Sequence, residues 1–277
     1  MNIHLVTVIG DDVRLLPHML RHYRRIGIDS FIVNVHLKHE NDPIIDEARR
    51  VTDAFGCGIS SISIGEWSDE LNSRLYSSSK KHADDWYVIA DLDEFHIYPA
   101  NLRNLIETCG RKGYDYIEGC FIDRIAADGR LPEIESARAI EDQCPLGCVL
   151  TYSILGGYPL KVVAARGGVS LAVGNHYALG GKGCPIDECF VQVHHYKWLK
   201  GVVTRLKRRE DLDKGRLTDR YRRECRRFLD YLDAHDERID VSDSRLMAAN
   251  CNPGYQHWPL IVETVRSISR TTGNEGG

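Results

Sequence analysis

The feature that most constrains this chain is the regular alternation of short apolar runs with amphipathic stretches through its first hundred residues. Ile3 to Ile9 reads as a strand. Gly10, Asp11 and Asp12 follow and are expected to cap a helix. In that helix Leu15, Leu16, Met19, Leu20, Tyr23 and Ile26 recur at helical spacing until Gly27. Phe31 to Val35 is a second strand, and Ile44, Ala48, Val51 and Phe55 mark one face of a second helix stopped by Gly56. Ile59 to Ile64 gives a third strand, residues 68 to 82 a third helix, and Trp86 to Ala90 a fourth strand apolar on both faces. Successive strand–helix units with short connections predict a parallel sheet with right-handed crossovers. Ligands of such sheets bind at the carboxyl ends of the strands, where Asp91 and Asp93 stand.

After Pro99 the pattern changes. A helix from Leu102 to Cys109 leads to a strand over Tyr114 to Phe121, then to a polar loop from Asp123 to Arg138. Gly-rich, strand-like pieces fill residues 147 to 183, Phe190 to Tyr196 is another strand, and helix follows Lys200. The 277 residues, 43 % apolar and 27 % charged, suffice for one large α/β unit. The expected organisation is a catalytic domain over residues 1–200, with a nucleotide-binding half of about 1–98 and an acceptor half of about 99–200. A helical extension over 201–277 packs on it.

The run Asp91-Leu92-Asp93-Glu94-Phe95 carries the clearest chemistry. Two carboxylates flanking one apolar residue at a strand end point the same way. They repel each other unless a cation neutralises them, and a hard divalent ion, Mg2+ or Mn2+, does so while bridging diphosphate oxygens. Asp91 and Asp93 are therefore candidate metal ligands. Neighbouring His194 and His195 face opposite sides of a strand, so one of them, taken as His195, is the expected third ligand. Asp123 is the candidate base for an acceptor hydroxyl, with Asp187 or Glu188 as rivals. Lys161, His176 and Arg74 are candidate phosphate contacts. Residues 200 to 227 hold twelve Lys or Arg against five acids, on the polar side of an amphipathic helix. That pattern reads as a solvated face before it reads as a membrane or anion surface.

A net charge of −4 argues against nucleic acid as a partner of the whole chain. No apolar run reaches membrane-spanning length. Nine scattered cysteines and an opening that reads as a strand rather than a signal peptide suggest a reduced, cytoplasmic setting. Cys144 and Cys148, with Cys184 and Cys189, do not have the two-residue spacing of a zinc knuckle.

Several landmarks in order give the chain a resemblance. They are Leu15 to Asp29, the block Asp85 to Phe95, the segment Asp123 to Leu131, Lys161 to Val163, Gly174 to His176, and His195-Tyr196. The set resembles bacterial family-2-like GT-A glycosyltransferases, related to the family-92 type. The resemblance implies a GT-A fold, a mostly parallel central sheet flanked by helices. It implies a nucleotide-diphosphate sugar donor, UDP-sugar favoured, and a carbohydrate or small-molecule acceptor, with inversion at the anomeric carbon. It assigns Thr7 and Asp11 to the nucleoside pocket, Asp93 to the metal and His195 to its shell. Nucleotidyl transfer on the same fold is the rival reading, although no Gly-rich loop with a following Lys succeeds the first strand. A nucleotide-sugar-binding module without chemistry is the third. The absence of Gly-x-Gly-x-x-Gly there disfavours a dehydrogenase.

Overall fold

A computed structural model describes residues 1–210, 219–252 and 254–273. The chain runs β1 (Ile3–Ile9), α1 (Leu16–Arg25), β2 (Ser30–Leu37), α2 (Ile44–Ala54), β3 (Ser61–Ile64), α3 (Asp69–Ser79), β4 (Trp86–Ile89) and β5 (Glu94–Ile97). It continues through α4 (Leu102–Arg111), β6 (Tyr116–Ile125), α5 (Ile140–Gln143), β7 (Leu146–Cys148), α6 (Leu150–Ser153), β8 (Leu160–Arg166) and β9 (Val191–His195). Helices α7 (Val202–Glu210) and α8 (Asp219–Asp233), strand β10 (Ala249–Asn250) and helix α9 (Trp258–Gly273) complete it.

The α/β architecture is the expected one. Strands β3, β2, β1 and β4 lie side by side and parallel. Strand β8 pairs antiparallel with both β4 and β6, and β9 runs parallel to β6. Hence β1, β2, β3, β4, β6 and β9 all point one way, while β5, β7 and β8 run against them. The carboxyl ends of β4, β6 and β9 and the amino end of β8 therefore meet at one edge. On one face, Ile9, Val33, Val35 and Leu37 pack against α1 and α2 through Leu16, Leu20, Ile45 and Val51. On the other, Val6, Val8, Tyr87 and Ile89 pack under Tyr76 of α3. A third cluster joins α7 and α8 to Ile125 and Cys148, with Phe228 tilted over Trp198 at 4.3 Å. Burying one such aromatic stabilises by roughly 1.5–3 kcal/mol.

Four local expectations are corrected. Asp11 and Asp12 do not cap α1: the Asp12 carboxylate accepts the Arg14 N–H and pairs with its guanidinium, and α1 begins later, at Leu16, with Pro17 in its first turn. The second strand extends to Leu37 and takes in His36. Strand β6 runs on to Ile125, so Asp123 lies inside a strand and not in a loop. Strand β5 was not expected, because its partner β9 lies far down the chain and leaves no local periodicity. Residues 211–218, the middle of the basic stretch, lie outside the described residues; on either side of them the apolar faces of α7 and α8 turn inward.

Candidate active site

Strand β4 delivers Asp91 and Asp93 to the shared edge, and β8 delivers Lys161. The Lys161 ammonium is buried, its side chain 3 % exposed, and donates to Asp91 Oδ2 at 3.1 Å, Glu94 Oε1 at 2.9 Å and the Gly174 carbonyl at 3.0 Å. Tyr76 donates its hydroxyl to Asp91 Oδ1 at 2.7 Å, and Glu94 Oε2 accepts the Asp91 N–H at 3.2 Å. Burial opposes the Asp91 charge, but Lys161 and Tyr76 outweigh it and hold that carboxyl down at about 2. Burial likewise opposes the Lys161 charge, and Asp91 and Glu94 override it and push the ammonium up. Glu94 is pushed up to about 7, by burial first, against the pull of Lys161. The acidic run is thus neutralised in part by a cation of the chain itself.

The second part of the site is organised by Asp123, which is fully buried on β6. It accepts from the Thr151 N–H at 2.6 Å, the Thr151 hydroxyl at 2.8 Å, His195 Nδ1 at 2.9 Å and Trp198 Nε1 at 2.8 Å. These donors outweigh burial and keep the carboxyl below its usual range. With Nδ1 donating to Asp123, His195 turns Nε2 toward Asp93, 3.9 Å from Oδ2. A carboxylate behind an imidazole fixes its tautomer and ring orientation, the usual support of a metal-binding histidine. Phe121 lies flat on the His195 ring, centroids 4.4 Å apart. His194 faces the other way, accepting from Arg124 at 2.8 Å, as the alternation of a strand requires.

The structure brings Asp91, Asp93, Lys161, His176 and His195 to one edge. His176 donates Nδ1–H to the Leu160 carbonyl at 2.7 Å, and burial, then the nearby Lys161, lowers it to about 4. Asp123 lies just behind them with its hydrogen-bonding capacity filled, which removes it from the role of base and makes it a positioning residue. Glu188 is displaced further. It pairs with Lys112 at 2.5 Å and Tyr114 at 2.8 Å, at the amino end of β9, the opposite edge from His195. Thr7 is fully buried and presents nothing to a ligand. Asp11 forms an ion pair with Arg208 of α7. Arg74 stands on the solvent side of α3, since two residues along a helix from inward-facing Tyr76 is the opposite face. A hollow of about 280 Å³ lies at the end of β1, lined by Asp11, Asp12, Arg14, Glu47 and Arg205, and touches none of Asp91, Asp93 or His195.

Among the described residues no three His, Cys, Asp or Glu side chains converge as a metal cage. The expected set of Asp91, Asp93 and His195 reduces to Asp93 and His195, because Asp91 is turned to Lys161 and Tyr76. A carboxylate oxygen and an imidazole nitrogen suit Mn2+ or Mg2+ when substrate oxygens supply the remaining ligands. The reading of the sequence missed Tyr76, Trp198 and Lys197. Lys197 sits half-buried over the Trp198 and Tyr221 rings, and Asp93 is among the charges that raise it against burial. Its only signal was its place just after the histidine pair.

No family model and no curated protein matches the chain. Among solved structures, it is similar to S. aureus TarS at 8 % identity and a TM-score of 0.38, over 84 % of this chain and 44 % of that one. It is similar to 4-diphosphocytidyl-2C-methyl-D-erythritol synthase at 16 % identity and 0.34, over 60 % of this chain and 75 % of that one. HddC from Yersinia pseudotuberculosis matches at 11 % identity and 0.31, over 48 % of this chain and 63 % of that one. The chain therefore spans under two thirds of HddC and under half of TarS. Among the described residues no helix is long and apolar enough to cross a membrane.

Proposed function

We propose that the chain is a glycosyltransferase that takes its sugar from a nucleotide-diphosphate donor, with a divalent ion shared by Asp93 and His195. The observation that carries this reading is the relay Asp123–His195–Asp93 at the strand ends beside the Asp91–Lys161 pair. Bound there, a divalent cation neutralises the charge that gathers on a departing diphosphate. Asp93 and His195 would hold that cation, and Lys197, which the Asp93 charge helps to keep protonated, offers an ammonium on the same side. Asp91, held ionised and 36 % exposed, is an acceptor for a donor hydroxyl and not a metal ligand. The lack of a Gly-rich phosphate loop after β1 places nucleotidyl transfer second.

The test is calorimetric titration with UDP, GDP, dTDP and CMP, each with and without Mn2+. One nucleotide binding only in the presence of the metal, and Asp93→Ala abolishing that dependence, is the expected result. No binding of any nucleotide under either condition removes the reading.

A further inference from the structure

From α6 to β9 the chain leaves Tyr152, Tyr158, Val173, Tyr177 and Leu179 exposed. Two of these tyrosines are continuous with the site. The Tyr158 ring stands edge-on to His176, centroids 5.7 Å apart at 85°. His176 stands edge-on to Phe121 at 6.4 Å, and Phe121 lies on His195. An unbroken run of rings thus leads from the imidazole facing Asp93 to the surface. Tyr177, next in sequence to His176, is 54 % exposed. Arg220 of α8 lies over the Tyr158 ring at 5.4 Å, held by the Gly156 carbonyl at 3.3 Å and by Glu224 at 3.4 Å. The segment carrying Tyr152 and Tyr158 is tied down at Thr151 by the same Asp123 that aims His195.

We propose that Tyr177 and the face of Tyr158 turned away from Arg220 are the platform for the acceptor, and that the acceptor is a saccharide; this rests on the transferase reading. A pyranose has a face of C–H groups and an edge of hydroxyls. An aromatic ring takes the first, as apolar surface with a matching quadrupole, and a guanidinium or carboxylate at its border takes the second. A lipid chain needs a continuous apolar groove, and here charged Arg220, Glu224 and half-buried Glu118 interrupt the tyrosines. The ring run also sets the acceptor beside the His195 side of the site, where a transferred sugar must be received.

The experiment is saturation-transfer NMR of the full chain, without nucleotide, against methyl pyranosides of glucose, galactose, mannose and N-acetylglucosamine and the disaccharides maltose, cellobiose and chitobiose. At least one sugar is expected to take up saturation mainly on its ring C–H protons. Tyr158→Ala and Tyr177→Ala should each weaken its binding about tenfold. Leu260→Ala, at an exposed position of α9, should not. Circular dichroism and nucleotide titration of the same variants, expected unchanged, separate loss of the platform from loss of fold or donor site. Silence from every sugar, or wild-type affinity in both tyrosine variants, overturns the proposal. So does a wild-type dimer in sedimentation that Tyr158→Ala dissolves, since the patch is then a contact between copies. A sugar that binds while no nucleotide does leaves the platform standing and removes the transferase reading.

Discussion

A buried ammonium between two carboxylates explains why Asp91 does not need a metal. The like-charge repulsion in this run falls on Glu94, which burial, Asp91 and Asp93 push up, while Lys161 pairs with both Asp91 and Glu94. Replacing Lys161 with Met leaves buried Glu94 and partly exposed Asp91 without their partner, and removing one member of a buried pair such as Lys161 with Glu94 costs roughly 3–5 kcal/mol. Urea unfolding of Lys161→Met should show that loss, and an unchanged midpoint would mean that the cluster is solvated. The sequence made the carboxylates legible because they stand one residue apart just past the apolar run of β4, in the turn that leads to β5. It named Lys161 only as a phosphate contact, since nothing in the spacing reveals that residue 161 stands near the start of a strand that begins at the same edge. Asp123 was misjudged for a related reason. Its flanking residues look like a polar loop, and only the four donors gathered around it show that it belongs inside.

Among the elements, the first half was readable because each strand and helix writes its own period into the chain. Strands β1 to β4 and helices α1 to α3 all lie where that periodicity suggests, with ends displaced by a few residues. The second half depends on pairings between distant segments, such as Glu94 with His195 and Asp123 with His195, so β5 and the end of β6 escaped notice. One residue makes the closest of these pairings possible. A Cβ at Gly119 would lie 2.5 Å from the Val191 carbonyl oxygen and 2.9 Å from Val163 Cγ1. Gly119→Ala must therefore push β9 off β6, at a cost of about 1–3 kcal/mol. A thermal melt of Gly119→Ala should show the loss, and a wild-type midpoint would show that the two strands have room to spare.

Over the whole molecule, buried neutral histidines set the response to acid. His22 donates to the His96 carbonyl at 3.0 Å, and burial lowers it from 6.5 to about 4; His96, fully enclosed, is driven well below its usual value by burial and then by His22. The unfolded chain takes up these protons first, so the stability they contribute is complete above pH 6.5 and drains away as pH falls toward 4. For His22 alone the drop from 6.5 to about 4 corresponds to roughly 3 kcal/mol. The urea midpoint should decline steadily between pH 7 and 4.5, and a flat profile would place both rings in contact with water. The anchoring of Thr151, His195 and Trp198 on the single carboxylate of Asp123 has an evolutionary corollary. The segment bearing the exposed tyrosines and the histidine facing Asp93 cannot drift separately, so a new partner preference acquired by exchanging that segment must bring its own threonine to residue 123 or forfeit the chemistry beside it.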